Sequence, residues 1–150
     1  MNPDLLAKIT EILRTTNDLT VATVRPDGYP QATTVSYVSD GLKIYFGTGA
    51  AAPKARNIAQ CGKVSITVNR PYETWEQIQG LSIGGIAERV TDPAELGLVG
   101  RLMLEKFPQV AGYVPSDASE MTIFRVTPQV ISLLDYSKGF GHTDLVEVAA

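Results

Sequence analysis

Apolar residues return every three or four positions at the start of the chain, and every second position almost everywhere after it. Leu5, Leu6, Ile9, Ile12 and Leu13 share one side of a helix over Pro3–Thr15, with Asn2 placed to cap it and Pro3 at its first position. Lys8, Thr10, Glu11 and Arg14 fill the other side. From Leu19 the period is two. Leu19–Arg25 is rich in β-branched residues and stops at Arg25-Pro26-Asp27-Gly28, whose Pro-Asp-Gly core specifies a turn. Gln31–Val38 resumes as a strand, Ser39-Asp40-Gly41 turns the chain again, and Leu42–Phe46 completes a predicted three-stranded meander.

The small residues of Gly47–Ala52 bury little, and Pro53 opens a short predicted helix to about Gln60. Lys63–Asn69 reads as a strand. Arg70–Gln79 is an irregular connection carrying Pro71, Tyr72 and Trp75. Leu81–Val90 is a long strand in which Gly84 and Gly85 predict a bulge or tight bend. Asp92, Pro93 and Glu95 combine an N-cap, a first-turn proline and a capping-box glutamate. The helix they start has Leu96, Val99, Leu102, Met103 and Phe107 as its buried stripe and ends at Pro108. Met121–Val126 and Val130–Tyr136 are two last strands, separated at Pro128. The tail after Tyr136 is polar and glycine-bearing, then briefly apolar at Leu145–Val148. Six or seven strands with few helices predict a mainly β fold, an antiparallel barrel closed or nearly closed, as one domain over residues 1–150.

Composition narrows the function more than the fold. With 44% hydrophobic and 19% charged residues, the 150-residue chain is an ordinary globular one. A net charge of −3 with scattered Lys and Arg predicts neither a nucleic-acid partner nor a membrane surface. The single cysteine, Cys61, excludes an internal disulfide, and the single histidine, His142, excludes a histidine-rich metal cluster. No signal-peptide pattern occurs over Met1–Leu19 and no long apolar run follows, so the expected location is the cytoplasm.

Four segments carry candidate chemistry. In Gly47–Asn57 a strand runs out in small residues and a helix begins. First-turn amides and the helix dipole favour an anion there, and Thr48, Lys54 and Arg56 add donors suited to phosphate. The same pattern equally describes a strand-to-helix loop with solvated cations. Gln31–Ser36 presents polar groups along a strand that could meet the edge of a flat heterocycle, or is simply a threonine-rich strand. Tyr72, Trp75 and Gln79 suit a ligand cover, a subunit contact or a cap over the barrel end. Asp135–Asp144 is either a site wall or a frayed end. His142 reads as solvated, Cys61 as a packed thiol, and Asp92 and Glu95 as helix caps. No residue is assigned as catalytic.

Taken in order, TVRPDGYPQATTVSYVSDGLKIYFGT, the Lys54 helix with Asn57, the VSITV strand and the strand ending GIAERV resemble the pyridoxamine-phosphate-oxidase-like FMN-binding split barrels, from Asp18 to about Asp144. The resemblance implies a homodimer with a flavin in a groove between subunits. By position, Gln31, Thr33, Thr34, Val35 and Ser36 would line the isoalloxazine and ribityl chain. Thr48 and Lys54 would hold the phosphate, with Arg56 and Asn57 nearby, and Gln79, Tyr136 and Lys138 would approach from the second subunit. True pyridoxamine-phosphate oxidases carry an arginine where this chain has Pro53 and a tryptophan in the last strand where it has Leu133-Leu134. The likeness is therefore to the short, general-stress-type members, with an FMN-dependent oxidoreductase of unassigned substrate as the expectation. Deazaflavin (F420)-dependent reduction and a non-enzymatic flavin- or haem-binding module are its alternatives.

Overall fold

The computed structural model describes residues 1–112 and 120–148. Helix α1 spans Pro3–Thr15, and the Asn2 side chain accepts from the amides of Asp4 (2.8 Å) and Leu5 (3.5 Å). It buries Ile9, Ile12 and Leu13, whereas Leu6 stays exposed. Strands β1 (Asp18–Val24) and β2 (Pro30–Ser36) form a hairpin. Its turn needs Gly28 at φ 83° and is closed by the Asp27 carboxylate accepting from Tyr29 N–H at 3.0 Å.

The expected meander is not what forms. Val38–Asp40 is a separate short strand, β3, paired with β4 (Lys43–Gly49), and β4 pairs onward with a strand from the far end of the chain. The cause is Tyr37. Its ring is fully buried, its hydroxyl donates to Leu13 carbonyl at 2.7 Å, and its amide bonds Asn17 carbonyl at 3.3 Å. Those bonds tie the end of the anticipated Gln31–Val38 strand to the end of α1 and bend the chain there.

Helix α2 (Pro53–Gln60) and β5 (Lys63–Asn69) follow, β5 burying Val64, Ile66 and Val68 in strict alternation. β6 covers Gln79–Arg89, α3 Pro93–Lys106, β7 Met121–Asp135 and β8 Thr143–Glu147. The sheet runs β2-β1-β5-β6-β7-β4-β3 with β8 added alongside β7. Its two ends, β2 and β3, are consecutive in the chain through Tyr37, so the curled antiparallel sheet returns to itself as a split barrel.

The two last strands expected around Pro128 are one fifteen-residue strand. A bulge makes this possible: Gly84 faces Val130, Gly85 faces Pro128, and Gln129 is passed over and accepts from Val148 N–H at 2.9 Å. A Cβ on Gly85 would lie 2.8 Å from Thr127 carbonyl oxygen. The bulge predicted at the glycine pair is thus present, and it absorbs the proline. The main core fills the barrel from α1 and the inward strand residues. A smaller core of Val38, Tyr45, Val90 and Val99 fixes α3 to the outside.

Glu95 does not close a capping box. Asp92 caps α3 alone, accepting from Ala94 N–H at 3.3 Å. The Glu95 carboxylate instead takes Arg125 Nη1 at 2.7 and 2.9 Å and the Tyr45 hydroxyl at 2.8 Å. A charge-assisted pair outcompetes a capping bond.

Candidate functional site

The start of α2 brings several expected residues together. Its N-cap is Ala52, which has no side chain to offer the first-turn amides, and Pro53 occupies the first helical position. Lys54 reaches back to β4, its ammonium 3.5 Å from the hydroxyl of Thr48. Thr48 is itself nearly buried, and so is Thr122, its register partner on β7. Thr122 lies in an unremarkable threonine-bearing strand, and only the β4–β7 pairing places it here. Pro53 has no N–H and the Ala55 and Arg56 amides donate to the Ala52 carbonyl, so the Lys54 ammonium, the Lys54 amide and the threonine hydroxyls are the donors gathered here.

Asn57 has a different task from the one expected of it. It is 4% exposed, and its Nδ2 donates to Thr23 Oγ1 and to Gln31 Oε1, both at 3.0 Å. The amide ties α2 to the β1–β2 hairpin. Pro53, Arg56 and Asn57 then line a cleft of about 400 Å³ with Arg25, Pro26 and Gln31. On the other flank of α2, Ala50, Ala55, Thr122, Arg89 and Glu88 border a second cleft of about 440 Å³, and Glu88 lies 3.6 Å from Arg125.

Gln31–Ser36 does not present a single face. Gln31, Thr33 and Val35 point inward and are half-buried, while Ala32, Thr34 and Ser36 point out. Thr34 Oγ1 lies 3.3 Å from Thr20 Oγ1, and Ser36 donates to Asp18 at 3.3 Å. Thr33 Oγ1 is buried without a hydrogen-bond partner. More telling is the strand's position: β2 ends the sheet and pairs only with β1. Its other edge offers backbone N–H and C=O groups, a feature no side-chain pattern reveals.

Gln79, Tyr136 and Lys138 stand at the opposite end. Gln79 pairs in register with Asp135, whereas Thr48 pairs with Thr122 at the start of the same strand, roughly 40 Å of strand path away. Gln79 Nε2 donates to Asp135 Oδ1 at 3.3 Å, and Tyr136 N–H to Ile78 carbonyl at 3.0 Å. Burial pushes the Asp135 carboxyl up, but hydrogen bonds from Ser137 and Gln79, with Lys8 at 3.8 Å, outweigh it and hold the group below the usual carboxylate range. Lys138 lies 3.7 Å from Asp144, which also holds His142 Nε2 at 3.2 Å. Phe140 bridges Tyr136 and Trp75, with ring centroids 5.3 and 5.9 Å away, and both Trp75 and Phe140 are largely exposed.

Comparison with known proteins places this geometry. The sequence matches the family described as pyridoxamine 5'-phosphate oxidase across residues 5–135. No curated protein matches it significantly. Among solved structures, the haem-binding protein of Mycobacterium smegmatis superposes with a TM-score of 0.82 at 23% identity. That match covers 98% of this chain and 59% of the other, so the chain spans about three-fifths of that relative's length. General stress protein 26 of Bacillus anthracis matches at TM-score 0.72 and 17% identity, covering 96% of this chain and 98% of its own. An F420 reductase matches at TM-score 0.64 and 26% identity, with 81% and 94% covered. No helix among the described residues is long and apolar enough to cross a membrane.

Proposed function

This chain belongs to the pyridoxamine 5'-phosphate oxidase family, and on that premise we propose that it is a cytoplasmic flavoprotein that holds FMN and acts as an oxidoreductase. The observation that carries the reading is the Lys54–Thr48 pair, 3.5 Å apart at the uncapped start of α2. A dianionic phosphate needs several donors and no competing carboxylate, and the first turn of α2 contains no acidic residue. The free edge of β2 supplies what the ring requires: donors and acceptors along a flat strand.

A bound flavin supplies hydride and single-electron chemistry. The chain's own residues bind and orient it: Lys54 and Thr48 hold the phosphate, and the β2 edge along Gln31–Ser36 fixes the ring. No side chain need give or take a proton for that. Gln79, Tyr136 and Lys138 flank the opposite end of β7 from Thr122, the register partner of Thr48. In this reading they complete the site from a second copy, in a homodimer. A small-molecule substrate or electron donor would then enter beside the exposed Trp75 and Phe140 rings.

The 26%-identical F420 reductase supports a deazaflavin as the second reading. Denaturing the purified protein and identifying the released small molecule by mass and absorption separates the cases. FMN supports the proposal. A deazaflavin, or a haem with its Soret band, replaces it.

A further inference from the structure

Phe140 is 82% exposed and Trp75 63%, yet the backbone that carries them is built with care. Asp135 caps the turn Tyr136–Lys138, accepting from Ser137 N–H at 3.1 Å and from the Ser137 hydroxyl at 2.6 Å. Gly139 at φ 134° and Gly141 at φ 68° flank Phe140, and Asp135 N–H closes the segment on His142 carbonyl at 2.9 Å. Trp75 opens the turn Trp75–Gln77, where the Gln77 side chain accepts from Glu73 N–H at 2.9 Å. Tyr136 joins the two turns: its N–H donates to Ile78 carbonyl at 3.0 Å and its ring meets Phe140 edge-on. Two fixed turns thus hold two large rings out in water, where apolar surface is costly and marks a binding face.

Charge decides what the rings take. The cations of these two segments are already spent. Arg70 donates to Gln79 at 3.3 Å and to Thr15 at 2.8 Å and lies 3.9 Å from Glu11. Lys138 and His142 share the Asp144 carboxylate, at 3.7 and 3.2 Å. Glu73 and Glu76, which bracket Trp75 in sequence, are exposed and enter no ion pair among the described residues. A phosphate or carboxylate therefore meets two free carboxylates here and no free cation. The faces of Trp and Phe carry the negative lobe of the ring quadrupole, which attracts a cation laid over them. From this geometry we propose that the Trp75–Phe140 pair takes a flat aromatic cation, a ring carrying a quaternary nitrogen, as the substrate of the flavin site. Stacking on the rings supplies the area, and Glu73 and Glu76 supply the charge.

The inference rests on the flavin reading, and its test keeps the two apart. FMN binding is titrated first. Equilibrium dialysis of the FMN-loaded chain at neutral pH then compares N-methylquinolinium, quinoline and naphthalene-2-sulfonate: a cation, a neutral ring and an anion of one size. The cation is expected to bind at least about tenfold more tightly than the anion, the scale of a cation–π contact assisted by carboxylates. Phe140→Ala should weaken the cation and the neutral ring alike. The double variant Glu73→Gln with Glu76→Gln should weaken the cation and leave the neutral ring unchanged. All three positions are exposed, and circular dichroism checks that each variant folds. Equal affinity for cation and anion, preference for the anion, or affinities unmoved by Phe140→Ala overturns the inference and leaves the flavin reading intact. So does shielding of Trp75, the sole tryptophan, from acrylamide quenching in the ligand-free protein, because the second copy then covers the rings. Failure of the chain to bind FMN overturns both.

Discussion

Lys54 draws an ordinary strand-to-helix loop together across two elements. Its partner Thr48 sits on a different element, and the small residues between them keep the helix start open. Lys54→Ala is expected to weaken FMN binding by about 1–3 kcal/mol, the scale of a charge-assisted bond. Unchanged affinity in a titration would remove Lys54 from the site. Asn57 marks the limit of reading residues one at a time. The sequence shows an amide beside candidate phosphate ligands, and only the fold reveals that its donors go to Thr23 and Gln31. Lys106, which no pattern singled out, offers a second residue-scale test. Its ammonium donates to Thr16 carbonyl at 2.6 Å and Tyr37 carbonyl at 3.1 Å and lies 4.0 Å from the Tyr37 ring centroid. Burial lowers its pKa to about 8, against a small opposing pull from Asp18. The folded state therefore binds fewer protons than the unfolded one between about pH 8 and 10.5, so this group makes stability rise with pH across that window. Denaturant melts should show the unaltered protein gaining on Lys106→Met from pH 8 to 10; parallel curves would contradict it.

At the scale of elements, α1, β5 and the glycine bulge were legible because each is fixed by local rules: a cap and a 3.6 period, a clean alternation, a close backbone approach. The order of the sheet was not. Turn residues show where the chain reverses, but whether β2 next meets β4 depends on Tyr37 reaching Leu13, a contact between residues 24 positions apart. β8 escaped notice for a related reason: its polar residues alternate with only Leu145 and Val146, and pairing with β7 decides its state. Pro128 misled in the other direction, since a proline inside a strand is tolerated where a bulge frees the missing donor. Gly85→Val is therefore expected to destabilise the fold by roughly 1–3 kcal/mol, as overpacking against backbone does, whereas Gly97→Val on the open side of α3 should be neutral or slightly stabilising, because valine forms helix better than glycine. Thermal melts of equal depth for both would contradict the bulge argument.

For the whole molecule, Thr48 and Lys54 flank one end of β7 and Gln79, Tyr136 and Lys138 the other. The proposed homodimer would set the proposed phosphate cradle of one chain against the exposed Trp75 and Phe140 rings of the other. Sedimentation should accordingly give a dimer, and a stable monomer that holds flavin tightly would contradict a shared groove. Residue types carried the family, while the free edge of β2 and the pairing of Thr48 with Thr122 needed the fold. The proposed flavin is held by its phosphate at the start of α2. A paired equilibrium titration of the flavin-free protein with FMN and with riboflavin, which differ only in that phosphate, tests this. One FMN per chain is expected to bind, at least about tenfold more tightly than riboflavin, or roughly 1.4 kcal/mol. Equal affinity for the two, or no binding of either, would contradict it.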